Sequence, residues 1–519
     1  MLTDQPTLQS LLINVLKKHR NRTFCYIDGK ATQYLKLDMV SNQVANAVKK
    51  LGYGPGDRVA VAMSNVLECP IAILGVMKSG ATFSGLNPMM SEVDMGYILD
   101  DAQAKMVFID AVALDKVVKL MPDRSSLKHV VVLGENVPKG FTAWSDFIDS
   151  ASEDDPGPNA RPDDEFNISY TGGTTGNPKG VVNSQSGYFF NLVAHCVDTP
   201  IQASDKMLLM TPLAHAAGLL MLAGTVKGSS FIVEKAFDPF KALELVEKEK
   251  VTTVFMVPTI IYMLLDILKQ KKYDTSSLRL ILYGAAPIAE SRLAEALEVF
   301  GPIFFQKYGQ VEIANMITTL TPEDHIRAMK YPKLLQSCGR PDSMTNVRIV
   351  DDNDVDVPPG SAGEIIVKAP YLMKGYLNQP ELTSKTLKGG WLHTGDMGKF
   401  DEEGYLYIVD RKKDMVVTGG MNVFSAEVEE CIAKHPKVKQ VAVIGIPDEK
   451  WGEAVTAVIV PNGEVSSDEI IQFCQGKLSK YAVPKNVFFK DSLPMTLIGK
   501  TDKKVLRAPY WKDADRMVH

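Results

Sequence analysis

Between Tyr170 and Val181 the chain reads YTGGTTGNPKGV, and this stretch restricts the fold more than any other. Four glycines, three threonines and a lysine leave it without apolar periodicity, so it must be a loop; the Ile168-Ser169-Tyr170 edge before it reads as a strand. The composition suits polyphosphate. Gly172, Gly173, Gly176 and Gly180 let backbone N–H groups crowd an anion, Thr171, Thr174 and Thr175 add hydroxyl donors, and Lys179 supplies a point charge. A Walker A loop is excluded, because Lys179 is followed by Gly180 instead of Ser or Thr and stands three residues after Gly176. Taken alone, a Gly/Thr run of this kind is also the pattern of a flexible surface loop, and the rest of the chain has to decide.

At 519 residues the chain is too long for one hydrophobic core and should divide into two or more domains. Helical apolar spacing covers residues 8 to 20 and 38 to 51. Arg58 to Met63 then reads as a strand, Pro70 to Lys78 as a helix and Ala81 to Leu86 as a strand, with further strands at Met106 to Ile109 and Val130 to Leu133. From Ser152 to Glu165 the sequence is acidic and Pro-rich, an exposed connector within a continuing α/β rhythm. Strands near Lys206 to Met210, Ser230 to Val233, Thr253 to Val257 and Leu278 to Tyr283 alternate with helices near 213 to 226, 238 to 249, 259 to 270 and 288 to 299. The fold class is therefore layered α/β, with chemistry expected at the carboxyl ends of strands. Short strands and tight turns between Val347 and Ile408 suggest a β subdomain, and the last hundred or so residues a small α+β domain. The expected boundary lies close to Lys413, giving domains 1–412 and 413–519.

Bulk properties narrow the partners. A formal charge of −5 with 23% charged residues gives no basis for nucleic-acid or membrane-surface attraction. The six cysteines form no C-x-x-C pair and have no His at ligand spacing, so they read as reduced, buried thiols. Neither a signal pattern nor a membrane-length apolar run is found, and the expected location is the cytoplasm.

The other polar constellations are all expected in loops. TPLAHAAG (Thr211 to Gly218) leaves His215 near a strand end, where a lone His in apolar company is also an ordinary core residue. Tyr283-Gly284-Ala285-Ala286-Pro287 is small enough to let a flat ring lie on backbone, or is simply a turn. Tyr308-Gly309-Gln310-Val311-Glu312 offers an aromatic face and a carboxylate able to hold a hard cation. In Trp391-Leu392-His393-Thr394-Gly395-Asp396, the carboxylate comes after a Thr-Gly turn and could accept bonds from ribose hydroxyls. Asp410-Arg411-Lys412-Lys413-Asp414 is a charge knot of the kind that usually faces solvent, and Pro494-Met495-Thr496-Leu497-Ile498-Gly499-Lys500 sets a lysine in a loop near the C-terminus.

Each motif is weak, but six in order are not. YTGGTTGNPKG, PLAHAAG, YGQVE, WLHTGD, DRKKDMVVTGGMN and PMTLIGK together resemble the adenylate-forming, AMP-binding superfamily of acyl-CoA synthetases, peptide-synthetase adenylation domains and beetle luciferases, over essentially the whole length. That resemblance implies a large N-terminal domain and a small mobile cap, with ATP, Mg2+ and coenzyme A as cofactors and a carboxylic acid as substrate. It implies that Thr171 to Lys179 grip the leaving β- and γ-phosphates, that Glu312 helps hold magnesium, and that adenine lies between Gly284 to Ala286 and Tyr308. Asp396 would take the ribose hydroxyls with Arg411 beside it, and Lys500, with Glu312 and His215, would act in catalysis. Lys413 would be the hinge, while Gly419 and Gly420, and with them Trp451, Tyr481 and Lys485, would serve the CoA step.

The chain departs from the family pattern in places. Gly172 replaces a common Ser, Val311 a usual Thr, Ser425 a frequent Pro, and Ile498 a small polar residue; Ser425 is expected to cap the helix beginning near Glu427. No acid lies between Ala214 and Leu220 to hold an α-amine, which points away from amino acids. Small Ala216, Ala217 and Gly218, with Cys196 and Met316, suggest an apolar aromatic, alicyclic or medium-chain acid. With no carrier domain after Lys500, free CoA is the expected acceptor. Loading of a separate carrier protein and a luciferase-like oxygenase are the alternatives; a nucleotide sensor is disfavoured by the joint presence of Lys179, Glu312, Asp396, Arg411 and Lys500. A homodimer, and a lysine acyltransferase acting on Lys500, complete the expected partners; no nucleic acid or integral membrane association is expected.

Overall fold

Two helices set the centre of the larger part of the chain. Tyr34–Lys50 and Glu68–Ser79 cross so closely that a Cβ on Gly75 would lie 2.3 Å from Val44 Cγ1. Close to this crossing Lys78 is fully buried, and its ammonium is met by the Asp38 carboxylate, Ser41 Oγ and Asn42 Oδ1. A buried lysine survives only with such a complete set of acceptors. The computed structural model describes residues 6–121, 125–171, 178–214, 216–495 and 501–511.

The chain divides into two compact units, residues 1–347 with 367–392, and residues 348–366 with 393–519. The first unit holds two sheets. In the eight-stranded sheet, Glu165–Thr171, Thr82–Gly85, Arg58–Ala62, Met106–Asp110 and His129–Leu133 run parallel. Lys179–Ser184 and then Gly375–Tyr376 add antiparallel on one edge. In the nine-stranded sheet, Phe304–Tyr308, Leu280–Gly284, Thr253–Met256, Lys206–Leu209 and Ser230–Val233 are successive parallel neighbours. One continuous core joins residues of both sheets to helices Leu8–Lys18, Tyr34–Lys50, Glu68–Ser79, Gln185–Asp198 and Ala216–Lys227, so the helices fill the layer between them. No described helix is long and apolar enough to cross a membrane.

The second unit carries the long antiparallel pair Val438–Asp448 and Gly452–Pro461, with Asn486–Phe489 added parallel to the latter. Helices Ser425–Ala433 and Ser467–Cys474 cover it through Val428, Ile432, Ile470 and Cys474. The mixed α/β architecture is thus the expected one.

Several local expectations are corrected. The flanks of the Gly/Thr stretch are strand and not loop, since Thr171 pairs with Lys179 and Tyr170 with Gly180 on adjacent antiparallel strands, while residues 172–177 lie outside the described residues. Trp391–Phe400 is one strand, so Asp396 projects from a sheet and not from a turn. Ser425 is the first helical residue and makes no cap; it is fully buried, and its N–H and Oγ both donate to the buried Asp410 carboxylate. Asp410 therefore does not belong to a solvated face. The 152–165 connector is tied down, because Asn42, Asn46 and Lys49 donate to its carbonyls and buried Gln9 accepts from the backbone of Asn159 and Ala160.

Candidate active site

Gly284 and Tyr308 end neighbouring parallel strands, and Gly284 pairs with Lys307. The pairing itself demands glycine, because a Cβ there would lie 2.3 Å from the Lys307 carbonyl oxygen. Ala285 comes next, exposed and at φ +65°, a left-handed conformation costly for a residue with a Cβ; Ala286 is half-buried. Strain of this kind marks a segment held in place by its surroundings. The turn after Tyr308 is equally tight: Gly309 lies where a Cβ would be 2.3 Å from the Asn315 backbone, and Ala314 and Asn315 both have positive φ. Within it Glu312 is fixed twice. Its carbonyl accepts from Met373 N–H at 2.8 Å, and its Oε1 accepts from the Tyr376 hydroxyl at 2.8 Å.

Tyr376 is the residue that the sequence does not disclose. It sits on the short strand that adds to the edge strand beginning at Lys179, and the Lys179 ammonium lies over its ring, 5.5 Å from the centroid. Burial, and then the Glu312 carboxylate, hold its phenol well above the usual tyrosine range, so it stays a donor. Lys179, Tyr376 and Glu312 thereby form one chain that links the hairpin of the first sheet to the strand ends of the second. The only forward signal is a Gly-Tyr pair in a turn-rich region, distant in sequence from both partners. Among the described residues no group of three or more His, Cys, Asp or Glu is placed to hold a metal. One fixed carboxylate suits magnesium, which is bound by one or two carboxylates together with substrate phosphates.

In the second unit Asp396 is buried and stands opposite Arg411 across an antiparallel pair, with Arg411 Nε 3.4 Å from Asp396 Oδ1. The register slips by one residue just beyond, between Met397 and Gly398, a bulge that turns the strand end. Thr394 Oγ1 donates to the Ile365 carbonyl and accepts from Asp396 N–H, while the buried Glu364 carboxylate accepts from Gly395 N–H and Lys412 Nζ. This lattice of bonds fixes the carboxylate that the Thr-Gly-Asp spacing pointed to.

Gly419 and Gly420 are the two central residues of a hairpin between Val416–Thr418 and Met421–Val423, both with positive φ as such a two-residue turn requires. Gly419 N–H donates to the Trp451 carbonyl, and a Cβ on it would lie 2.8 Å from the Trp451 ring. That ring is flanked by Lys485 Nζ at 4.6 Å and Lys450 Nζ at 4.8 Å from its centroid, and Lys485 also donates to Thr418 Oγ1. So Gly419, Trp451 and Lys485 are gathered into one cationic, aromatic patch, which Lys450 joins; Tyr481 is exposed.

His215, Gly172, Gly173, Thr174, Thr175, Gly176 and Lys500 lie outside the described residues. Two of the small residues after His215 have packing roles: a Cβ on Gly218 would lie 2.1 Å from the Leu213 carbonyl oxygen, and Ala217 is buried in the core.

Residues 13–377 match the model of the AMP-binding enzyme family, and residues 427–500 that of the AMP-binding enzyme C-terminal domain. The chain is 38% identical to the medium/long-chain-fatty-acid–CoA ligase FadD8 of Mycobacterium tuberculosis, over 98% of this chain and 91% of the relative. It is 35% identical to a feruloyl-CoA synthase of Amycolatopsis sp, over 93% and 94% of the two chains. Among solved structures it is similar to the amide bond synthetase McbA from Marinactinospora thermotolerans, with a TM-score of 0.87 and 30% identity over 97% of this chain and 99% of that one.

Proposed function

This chain belongs to the AMP-binding enzyme family and is an AMP-forming acyl-CoA synthetase; from that premise we propose that it activates an aromatic, alicyclic or medium-chain carboxylic acid with ATP and passes the acyl group to free CoA. The observation that carries the reading is the Lys179–Tyr376–Glu312 chain, a cation and a fixed carboxylate held together beside the strand ends at Gly284 and Tyr308. Fatty-acid and feruloyl ligases among the relatives support acids with an apolar body.

In the first step a carboxylate oxygen of the acid attacks the α-phosphorus of ATP. The new C–O–P bond forms as the bond to the β-phosphate oxygen breaks, and pyrophosphate leaves. Such displacement needs positioning and charge neutralisation more than covalent help. Lys179 and the hairpin around it are suited to the leaving phosphates, and Asp396 with Arg411 to the ribose. Glu312 would hold Mg2+, which when bound neutralises phosphate charge. In the second step the CoA thiol attacks the acyl carbon, the acyl–phosphate bond breaks, AMP leaves, and the thiol proton passes to solvent. The Gly419–Gly420 turn with Trp451, Lys450 and Lys485 offers cations for the CoA phosphates and a ring face for its base.

A panel of carboxylic acids, scored for AMP release that needs both ATP and CoA, tests this function. CoA-dependent release with at least one apolar acid is expected. Adenylation without CoA consumption would instead favour transfer to a carrier protein or to an amine, the latter being the reaction class that the amide synthetase likeness keeps in view.

Tyr376→Phe removes the hydroxyl that orients Glu312. Loss of one hydrogen bond to a carboxylate costs about 1.5 to 3 kcal/mol, so the Mg2+ concentration for half-maximal adenylation should rise by up to roughly tenfold or more, with the unfolding temperature lowered by about a few degrees at most. An unaltered Mg2+ dependence would contradict the role given to Glu312.

A further inference from the structure

Behind the Tyr308–Glu312 turn, helix Gln185–Asp198 turns polar on one face, with Asn191, His195 and Asp198 at i, i+4 and i+7. A polar stripe facing a core needs partners, and here two atoms remain unmatched. Asn191 is fully buried. Its Nδ2 donates to the Ala314 carbonyl, two residues beyond Glu312, which fixes the amide so that Oδ1 is the atom left over, and Oδ1 has no partner. His195 is 4% exposed; its Nδ1 lies 3.3 Å from Thr199 Oγ1, and its Nε2 has no partner. Desolvation first, and the Lys307 ammonium next, pull the His195 ring down to about 3, so it is neutral at assay pH. Lys307, the residue before Tyr308, is itself bound to buried Asp342 at 2.8 Å. Unpaired buried polar atoms are rare in folded proteins and ask for a ligand or a water.

We propose that Asn191 and His195 determine substrate specificity by binding a hydroxyl group on the distal part of the acid. The inference rests on the ligase reading above and names its substrate class: a hydroxylated acid in place of a plain hydrocarbon one. The donor and acceptor pattern selects a hydroxyl. The 3.3 Å contact between His195 Nδ1 and Thr199 Oγ1 is compatible with either tautomer of the ring; in the one that the proposal requires, Thr199 Oγ1–H donates to Nδ1, His195 Nε2–H is a donor and Asn191 Oδ1 an acceptor, so that a hydroxyl oxygen accepts from the first while its hydrogen goes to the second. A ketone or ether satisfies only the histidine. The Asn191 bond to Ala314 and the adjacency of Lys307 to Tyr308 put this pair next to the turn that carries Glu312, on the same segment as buried Met316.

The test uses full-length enzyme and matched acids: octanoic against 8-hydroxyoctanoic acid, and 3-phenylpropanoic against 3-(4-hydroxyphenyl)propanoic acid, each hydroxyl form also as its methyl ether. A site built for a hydroxyl rejects the analogue lacking it strongly. At least one hydroxy acid should therefore exceed its parent on the order of a hundredfold in kcat/KM for adenylation, with the ether falling to the parent's level. Asn191→Leu and His195→Phe should bring the ratio close to one while the parent acid's rate persists, and His195→Gln, which keeps an N–H, should retain most of the preference. Parent acids preferred by the wild-type enzyme in both pairs, or a ratio unmoved in the variants, would overturn the inference and leave the ligase reading intact. The His195 ring nitrogens, followed by NMR, supply a readout that needs no turnover. Movement with a hydroxy acid but not with its parent supports the assignment even if no tested acid releases AMP, which would count against the ligase reading alone. No movement with any acid, as when a water fills the place, overturns it.

Discussion

With Lys500 changed to alanine, acid-dependent exchange of pyrophosphate into ATP is expected to fall by at least about a hundredfold. The reacting carboxylate and the α-phosphate are both anions. Two unit charges about 4 Å apart at an effective dielectric near 20 repel by roughly 4 kcal/mol, and a lysine between them removes a cost of that order. Lys500 lies outside the described residues, so the expectation rests on its place in PMTLIGK and on the anchoring of the helix just after it. That short helix, Lys503–Arg507, is held by Lys503 to Glu429 at 2.7 Å and to Ser425 Oγ at 2.7 Å, and by Arg507 to Asp414. Those bonds anchor the described residues that follow the lysine in sequence. Thioester formation from supplied acyl-adenylate and CoA should change much less in the same variant, because that step has no second anion to bring to phosphorus. Exchange at near wild-type rate would remove Lys500 from the reaction. Acylation of Lys500 by an acyltransferase would abolish the same charge and should reproduce the alanine phenotype.

The second large effect is expected at the Gly419–Gly420 turn. Gly420→Leu should leave pyrophosphate exchange within about threefold of wild type and reduce thioester formation by about a hundredfold, the loss that a misplaced reactant group brings. At Gly420 a side chain meets nothing within 4 Å, so packing inside the unit does not forbid it; the positive φ does oppose it. Strain at a left-handed residue is about 1 kcal/mol and would show as a small drop in unfolding temperature. Gly420→Asn, which tolerates that conformation, separates the causes: if turn strain alone were responsible, Asn would restore the thioester step. Lys413→Pro, at the proposed hinge, should share the phenotype by hindering reorientation of the cap. Equal loss of both half-reactions in Gly420→Leu and Lys413→Pro would argue against two alternating arrangements.

Much of the fold can be read from the chain. Leu8–Lys18, Arg58–Ala62, Met106–Asp110, Ser230–Val233 and Pro239–Glu249 fall within a few residues of their expected bounds, since each shows its period within its own length. Lys179–Ser184 and Gln185–Asp198 escape that reading. The glycines and threonines before them hide the first, and the second mixes inward polar residues with apolar ones, so that neither period stands out. Glycine is legible as a requirement but not its reason: at Gly284 the reason is the Lys307 carbonyl, and at Gly218 that of Leu213.

The sequence by itself determined the α/β class, the family and the order of those elements that show their period within their own length, because periodicity and motif spacing are properties of neighbours along the chain. Only the tertiary structure decided that Tyr376 joins Lys179 to Glu312, that Asp396 stands on a strand opposite Arg411, and that Asn191 and His195 end up buried with polar atoms unmatched. Those relations depend on sheet register and on which strand takes which edge, and a strand's own residues carry the alternation of its faces but not the identity of its neighbour.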